Sequence, residues 1–459
     1  MRVVLISTYD LGRQPFGLAS PAAWLTQAGV AVSCQDLAKE PLREDEVSCA
    51  DAVAFYVPMH TATKLAARLL DRVRQLNPRA HLCFYGLYAP MNEAYLRRLG
   101  AQTILGGEFE PGLVRMVERL RLAGASPGAA RRDQSQGEPV ISLDKLPFKV
   151  PERRGLPPLH RYAQLLLPDG ETRLAGYTEA SRGCKHRCRH CPIVPVYNGQ
   201  FRIVQRQVVL ADIRQQVAAG ARHLTFGDPD FFNGVRHALA LVEALHDEFP
   251  ALTYDVTIKV QHLLRHAEHL ETLRRTGCAF VTSAVESVDD RFLRLLDKGH
   301  TRDDFHRVAA RCREAGVTLA PTFVPFSPWT TFETYLELLR VLVELDLVEN
   351  VAPIQLAMRL LLPAGSRLLE LQEVQRLVGD FAPDSLSYPW SHSDPRLDTL
   401  CWTLQALVKE GEQQGLTRRR LFAQLWQAAH EAAGRTPPSL AMRGTLRQGI
   451  PFLNEPWYC

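Results

Sequence analysis

The sequence contains no apolar run that approaches the roughly 20 residues of a transmembrane helix, and the apolar stretch at its start is too short for a signal peptide. Lys and Arg (54) nearly balance Asp and Glu (50) and form no long basic run, so charge does not indicate nucleic-acid binding. No G-x-G-x-x-G follows the first predicted strand, so the dinucleotide-binding fingerprint is missing. We therefore expect a cytoplasmic protein with no membrane or nucleic-acid partner.

The length of 459 residues, with 46% apolar and 23% charged residues, predicts two or three folded domains. Ten cysteines in a cytoplasmic chain favour thiols or metal ligands over a disulfide framework. Three of them cluster at Cys184, Cys188 and Cys191, and Cys459 ends the sequence. The other six are isolated.

Residues 1–122 alternate short apolar runs with amphipathic stretches, the pattern of a parallel sheet covered by helices. The strand candidates are 3–8, 31–34, 52–57, 81–86 and 103–107. This pattern predicts a flavodoxin-like doubly wound domain. Residues 123–172 are rich in Gly, Pro and Ser and predict a mobile linker.

The alternation resumes over residues 173–385. The strand candidates there are 175–181, 222–227, 252–259, 279–286, 317–325 and 351–357. Six strand–helix units predict a partial (βα)6 barrel of the TIM type, with its active site at the C-terminal ends of the strands. Residues 386–459 predict a helical region, with helices near 397–414 and 418–433 and an extended tail.

The segment Ser181-Arg-Gly-Cys184-Lys-His-Arg-Cys188-Arg-His-Cys191-Pro places three thiols as C-x3-C-x2-C after the first barrel strand. Such a loop can bring three thiolates onto one centre and leave a fourth position open. The alternative is a structural zinc site completed by His186 or His190. An open position at a barrel mouth favours chemistry over a saturated structural ion.

This segment resembles the radical S-adenosylmethionine (SAM) superfamily. The resemblance implies a [4Fe-4S] cluster held by Cys184, Cys188 and Cys191, with SAM on the fourth iron and a 5′-deoxyadenosyl radical released by one-electron reduction. It also implies an electron donor such as a flavodoxin or a ferredoxin. One departure is His190, which stands where the superfamily commonly has an aromatic residue.

Residues after the next strands match the superfamily's SAM contacts in type and position. Gly227-Asp228-Pro229 stands where the superfamily often has Gly-Gly-Glu, Lys259 ends the third strand, and Glu286-Ser287 ends the fourth. The resemblance implies that Asp228 accepts from the SAM ammonium group and that the others reach its carboxylate and ribose. Alternatively, Asp228 caps the turn before Phe231, and the others are solvated strand-end groups.

The N-terminal domain looks like the cobalamin-binding domain of some radical-SAM enzymes, in which ligands lie at the C-terminal strand ends. The residues implied at such a site are Thr8, Tyr9, Asp10, Gly12, His60, Gly86, Gly106 and Gly107. The D-x-H-x-x-G signature that supplies a cobalt ligand is absent, so we expect a cobalamin whose lower face lacks a protein imidazole. His60 is either a substitute ligand or a hydrogen-bonded structural residue, and the whole domain is alternatively a sheet kept for packing or substrate binding.

The segment from Leu5 to Leu25 and the ending Glu455-Pro-Trp-Tyr-Cys459 resemble a narrower group, the radical-SAM (seleno)proteins with a Cys-Sec-Ala-Glu-Pro or Cys-Cys-Ala-Glu-Pro tail. The sequence stops where that group continues with selenocysteine or a second cysteine. We expect a UGA codon after Cys459, followed in frame by Ala-Glu-Pro, and hence a selenoprotein. The alternative is a frayed terminus with an incidental thiol.

Together these features predict a radical-SAM enzyme that modifies an unreactive carbon, preferably by methyl transfer through cobalamin. A non-methylating radical reaction is the first alternative, and a non-catalytic corrinoid or iron–sulfur carrier is the second. No residue is assigned a catalytic role of its own. Substrate-facing candidates, equally plausible as packing residues, are Phe326, Trp329, Gln355 and Arg359.

Overall fold

The computed structural model describes residues 1–125, 137–440 and 449–454. Among them, no helix has both the length and the apolar character needed to cross a membrane. Two α/β sheets dominate the chain, and a pair of helices follows the second sheet.

The first sheet is built from six parallel strands. They are β1 (Arg2–Ser7), β2 (Ala31–Asp36), β3 (Ala52–Tyr56), β4 (His81–Tyr85), β5 (Thr103–Gly107) and β6 (Ile141–Ser142). Their order is β2-β1-β3-β4-β5-β6. The first five follow the flavodoxin-like order, which confirms the predicted doubly wound fold.

Both faces of this sheet are buried, as is usual for parallel strands. In β1, Val3 and Leu5 pack into the core on one face, and Val4 and Ile6 into the core on the other. The helices that flank these strands are α1 (Phe16–Gln27), α2 (Glu44–Ser48), α3 (His60–Leu76), α4 (Tyr88–Met91), α5 (Glu93–Arg98) and α6 (Glu110–Ala125).

The segment predicted as a linker, 123–172, is partly built into the two sheets. Helix α6 continues past residue 122, and β6 pairs with β5 at the edge of the first sheet. A 3-10 turn over Leu159–Arg161 then leads to the first strand of the second sheet. The described part of this segment therefore contributes one short strand to each sheet and connects the two domains in this way.

The second sheet contains seven strands and curls into a half-barrel. The strands that follow β6 in the chain are β7 (Gln164–Leu166), β8 (Thr172–Thr178), β9 (Ser181–Gly183), β10 (Phe201–Ile203), β11 (His223–Phe226), β12 (Thr253–Thr257), β13 (Cys278–Glu286), β14 (Leu319–Phe323) and β15 (Phe452–Leu453). The sheet order is β14-β13-β12-β11-β8-β7-β15, and β9 and β10 form a separate antiparallel pair. Neighbours from β8 to β14 are parallel, whereas β7 and β15 are antiparallel additions at one edge.

The prediction of a sixth barrel strand over 351–357 is wrong. Residues 351–357 contain a 3-10 turn, Pro353–Leu356, that follows another over Val348–Asn350. Pro353 lacks the N–H that a central strand donates, and the side chain of Gln355 accepts from the backbone N–H of Phe323 at 3.1 Å. A side-chain contact thus replaces strand pairing at this position. Backbone pairing beyond β14 is limited to a single parallel bridge between Phe326 and Arg359, and the described part of the barrel has five parallel strands.

Nine helices of the described chain lie between the cysteine loop and the C-terminal region, and several of them pack on the half-barrel. They are α7 (Val194–Tyr197), α8 (Arg206–Ala218), α9 (Val235–Glu248), α10 (Val260–Arg265), α11 (Leu270–Arg275), α12 (Asp290–Leu295), α13 (Arg302–Ala315), α14 (Phe332–Glu344) and α15 (Gln372–Gln375). The helical C-terminal region consists of α16 (Pro395–Gln413) and α17 (Arg418–Ala432), close to the predicted bounds. Leu400 and Leu425 join the barrel core, so these helices extend that core.

Candidate functional site

The three clustered cysteines lie in the loop that follows β9. Gly183 ends this strand at a φ of 75°, and a Cβ there would lie 2.4 Å from the ring of Tyr197, so only glycine fits. The loop then turns back on itself, with the N–H of Cys191 donating to the carbonyl of Cys188 at 3.1 Å. All three thiols are free of disulfide bonds.

Burial raises the pKa of two of these thiols. It raises the pKa of Cys191 to about 12, and the neighbouring Cys188 and Cys184 add to the effect. Burial also raises the pKa of Cys184. Since a thiolate is the ligand form, a bound cation is needed to stabilise the charge in this loop.

The structure gives no support to the zinc alternative. Such a site would need His186 or His190 as the fourth ligand beside the three thiols. His186 lies 3.5 Å from Asp230, and His190 lies 3.1 Å from Glu286, so both histidines face carboxylates. Among the described residues, the side-chain group that contains His186 and is compact enough to share one ion includes none of the three cysteines.

Two buried lysines lie beside the cysteines. The pKa of Lys259 is lowered by burial, a change that nearby Cys188 opposes. Burial works against the charge of Lys298, but Glu286, Cys188 and Cys191 together outweigh it and raise the pKa of Lys298. Sequence reasoning missed Lys298, which follows a helix rather than a strand. These two ammonium groups favour an anionic centre in the loop.

Glu286 and Ser287, the predicted SAM contacts at the end of β13, each contact other groups of the protein. Oε1 of Glu286 lies 3.2 Å from Nζ of Lys298 and 3.1 Å from Nε2 of His190. Lys298 and His190 lower the pKa of Glu286 even though burial would raise it. Ser287 Oγ accepts from the N–H of Asp289 at 3.0 Å, ahead of α12. Contacts of Lys259, Glu286 and Ser287 with SAM stay predictions.

Gly227, Asp228 and Pro229 line a cavity of about 980 Å³. The Asp228 carboxylate accepts from Ala180 N–H at 2.9 Å and from the Ser181 hydroxyl at 2.5 Å. Burial raises its pKa to about 7. The cap before Phe231 is provided by Asp230, so the capping alternative for Asp228 is wrong.

This first cavity occupies the interior of the half-barrel. Its wall is rich in strand residues with short polar side chains, and Arg13 of the N-terminal domain and Pro192 of the cysteine loop reach it. The strand residues are Thr225, Asp255, Thr257, Thr282 and Thr322. Gln355 also lines it, whereas Phe326 and Trp329 pack against other aromatic rings.

A second cavity of about 920 Å³ lies between the N-terminal domain and the barrel. Its lining is largely apolar and includes His60 and Tyr88 from the first domain and His190 and Pro192 from the cysteine loop. Arg359 also lines it. Pro192 lines both cavities, so the cysteine loop borders the two spaces.

His60 is the one predicted cobalamin residue that lines either of these two cavities. Its Nε2 contacts the carbonyl of Ser385, and burial lowers its pKa. Five of the other predicted residues follow first-sheet strands as expected, and they are Thr8, Tyr9, Asp10, Gly12 and Gly86. The remaining two, Gly106 and Gly107, are the last residues of β5.

Thr8 and Gly107 show how closely the protein surrounds these residues. Thr8 donates to the carbonyl of Ala62 at 2.9 Å. A Cβ on Gly107, whose φ is 68°, would lie 2.1 Å from the carbonyl oxygen of Ser142, so β6 covers this strand end. Burial raises the pKa of Asp10 to about 7. The predicted tail with Cys459 lies outside the described residues.

Comparison with known families identifies the barrel. Residues 178–342 match the Radical SAM superfamily, so the chain contains a radical SAM domain, as its cysteine motif predicts. The hopanoid C-3 methylase of Methylococcus capsulatus is 23% identical over 329 residues, which are 69% of this chain and 62% of the methylase. The tRNA-2-methylthio-N(6)-dimethylallyladenosine synthase of Chlorobium phaeobacteroides is 26% identical over 160 residues, 33% of this chain and 35% of the synthase.

Two solved structures share the architecture. TsrM from Kitasatospora setae, a radical S-adenosylmethionine methyltransferase with cobalamin and a [4Fe-4S] cluster bound, has a TM-score of 0.60 and 17% identity, covering 75% of this chain and 73% of TsrM. OxsB is a cobalamin-dependent S-adenosylmethionine radical enzyme whose structure has aqua-cobalamin bound. It has a TM-score of 0.65 and 13% identity, and the match covers 89% of this chain and 67% of OxsB. The likeness extends over both sheets and confirms the predicted fold class.

Proposed function

We propose that this chain is a radical-SAM enzyme that methylates an unreactive carbon with the help of cobalamin. The observation that carries the proposal is the cysteine loop of a radical SAM domain placed between two cavities. One cavity lies inside the barrel, and the other separates the barrel from a flavodoxin-like domain. Two cofactors that must act on one substrate need adjoining spaces of this kind.

Cys184, Cys188 and Cys191 would hold a [4Fe-4S] cluster. When bound, such a cluster supplies the electron that cleaves SAM and starts radical chemistry. Lys259 and Lys298 stabilise the negative charge of the thiolates. Of the three thiols, that of Cys188 is buried and the other two are half-buried, which limits the access of water to the site.

SAM would occupy the first cavity. Gly227, Asp228 and Pro229 line its wall, and the Asp228 carboxylate is an acceptor for an ammonium group. Arg13 lines the same cavity and is a candidate partner for the SAM carboxylate, which sequence reasoning missed. Lys259, Glu286 and Ser287 would act from the strand ends behind the cysteine loop.

Cobalamin would sit at the C-terminal edge of the first sheet and extend into the second cavity. The largely apolar lining fits the faces of a corrin ring, and His60, at the start of α3, is the imidazole that the described part of the N-terminal domain contributes to it. Because His60 already contacts Ser385, we expect no cobalt–histidine bond. Bound cobalamin supplies a carrier for the methyl group.

The test is anaerobic purification of the chain with cobalamin supplied, followed by measurement of iron, cobalt and the visible spectrum. About four irons and one corrinoid per chain are the expected result. Four irons without corrinoid would eliminate the hypothesis of methyl transfer and leave the non-methylating radical reaction.

We further expect an electron donor such as a flavodoxin or ferredoxin and a cytoplasmic location.

The narrower relationship to radical-SAM (seleno)proteins with a Cys-Sec-Ala-Glu-Pro or Cys-Cys-Ala-Glu-Pro tail belongs to the same proposal. It is supported by the segment from Leu5 to Leu25 and by the ending Glu455-Pro-Trp-Tyr-Cys459. A selenol beside Cys459 would ionise more readily than a thiol and form a reactive exchange pair.

A further inference from the structure

Three potential metal ligands from separate elements meet beside the cysteine loop. His186 belongs to that loop, Asp230 follows β11, and His262 lies in α10. Oδ2 of Asp230 is 2.7 Å from Nδ1 of His262 and 3.5 Å from Nε2 of His186. The three atoms all lie within 4.8 Å of one another.

These atoms are shielded from solvent, yet none of them makes a hydrogen bond of acceptable geometry. Asp230 is 1% exposed and His262 is 7% exposed. Protonated imidazoles would form ion pairs with the Asp230 carboxylate, but these contacts lack the alignment that a hydrogen bond needs. Because unsatisfied buried polar atoms are costly, the arrangement calls for a further group that satisfies all three.

The carboxylate of Asp230 is already oriented for this purpose. Its other oxygen, Oδ1, accepts from the N–H groups of Phe232 at 3.3 Å and Lys259 at 3.4 Å. These backbone contacts leave Oδ2 facing the two imidazoles. Support of a ligating carboxylate through its second oxygen is a common feature of protein metal sites.

We propose that His186, Asp230 and His262 bind one divalent transition-metal ion, with zinc as the probe. Zinc binds imidazole and carboxylate at about 2.0–2.2 Å, which separates tetrahedral ligands by about 3.3 Å, close to the observed contacts. The three protein ligands leave one position for water. The ion would join the cysteine loop to β11 and α10 and so fix the position of the loop.

The experiment measures iron and zinc by mass spectrometry in the full chain after anaerobic reconstitution of the cluster, brief exposure to zinc and desalting. The cluster is formed first so that its thiolates are occupied. We expect about one zinc per chain beside about four irons. Asp230→Asn and His262→Gln should reduce zinc at least tenfold and keep the iron.

His269→Gln is the matched control. His269 forms a separate group with His266 and Glu268 whose side chains are more exposed, so this variant should retain both metals. Wild-type protein that keeps its four irons but no zinc would overturn the proposal, whether or not the variants fold. The proposal would also be overturned if the His269→Gln variant lost its zinc while the Asp230→Asn variant retained it. Zinc content is independent of SAM cleavage, so this inference and the proposed reaction fail separately.

Discussion

Arg182 of the barrel forms a bidentate ion pair with Glu110 of the N-terminal domain, with N–O distances of 2.7 and 3.0 Å. Arg182 is 7% exposed and Glu110 is fully buried. Arg182 also contacts Glu108 and lies two residues before Cys184. A single buried guanidinium therefore connects the edge of the first sheet to the cysteine loop.

Removing one partner of this pair should strongly destabilise the protein. Arg182→Met leaves the carboxylates of Glu108, Glu110 and Glu179 without their shared cation, for which the expected loss is about 3–5 kcal/mol in the free energy of unfolding. Chemical denaturation of this variant measures it. Arg214→Gln, at a more exposed ion pair with Glu248, is the control and should lose much less stability. Equal losses at both sites would contradict this account.

Replacement of Cys184, Cys188 or Cys191 by Ala should abolish the cluster, because alanine offers no ligand. Iron content and visible absorption after anaerobic reconstitution are the measurements. Cys49→Ala, at an exposed cysteine outside the loop, should keep the wild-type iron content. A loop variant that retains four irons and cleaves SAM would refute the ligand assignment.

Asp228→Ala should keep the cluster and weaken SAM binding at least tenfold, because the cavity wall loses its acceptor for an ammonium group. The same change frees Ala180 N–H and the Ser181 hydroxyl, so we also expect a lower unfolding temperature. Calorimetric titration of reconstituted protein with SAM separates these effects. Unchanged affinity would leave Asp228 with a structural role only.

Asp10→Asn should alter the pH dependence of stability. Burial raises the pKa of Asp10 from 3.8 to about 7, so the folded state holds a proton that the unfolded state has released between these values. Wild-type stability therefore falls as pH rises through this window. The variant lacks this loss and should be more stable than wild type at pH 8 by about 2–4 kcal/mol, with little difference near pH 4.

Denaturation curves at several pH values check this prediction. The control is Asp71→Asn, because the Asp71 side chain is 91% exposed and should not change the slope. A constant difference between Asp10→Asn and wild type across the range would contradict the assignment.

The sequence predicts the N-terminal strands well because each is a short apolar run buried on both faces, as Val3 to Ile6 illustrate. The sequence wrongly predicts a strand over 351–357, where the apolar pattern is typical of a strand but Pro353 prevents strand pairing. It also identifies the cysteine loop from local spacing alone. The partners of Arg182 and His186 depend on contacts between distant segments, which no local pattern encodes.

The most direct test is the quantification of 5′-deoxyadenosine after the reconstituted chain is incubated anaerobically with SAM, cobalamin and a reductant. The account predicts accumulation of 5′-deoxyadenosine by wild-type protein and none above background by Cys188→Ala. Wild-type protein that holds four irons and binds SAM but produces no more 5′-deoxyadenosine than Cys188→Ala would contradict the account and favour a non-catalytic carrier.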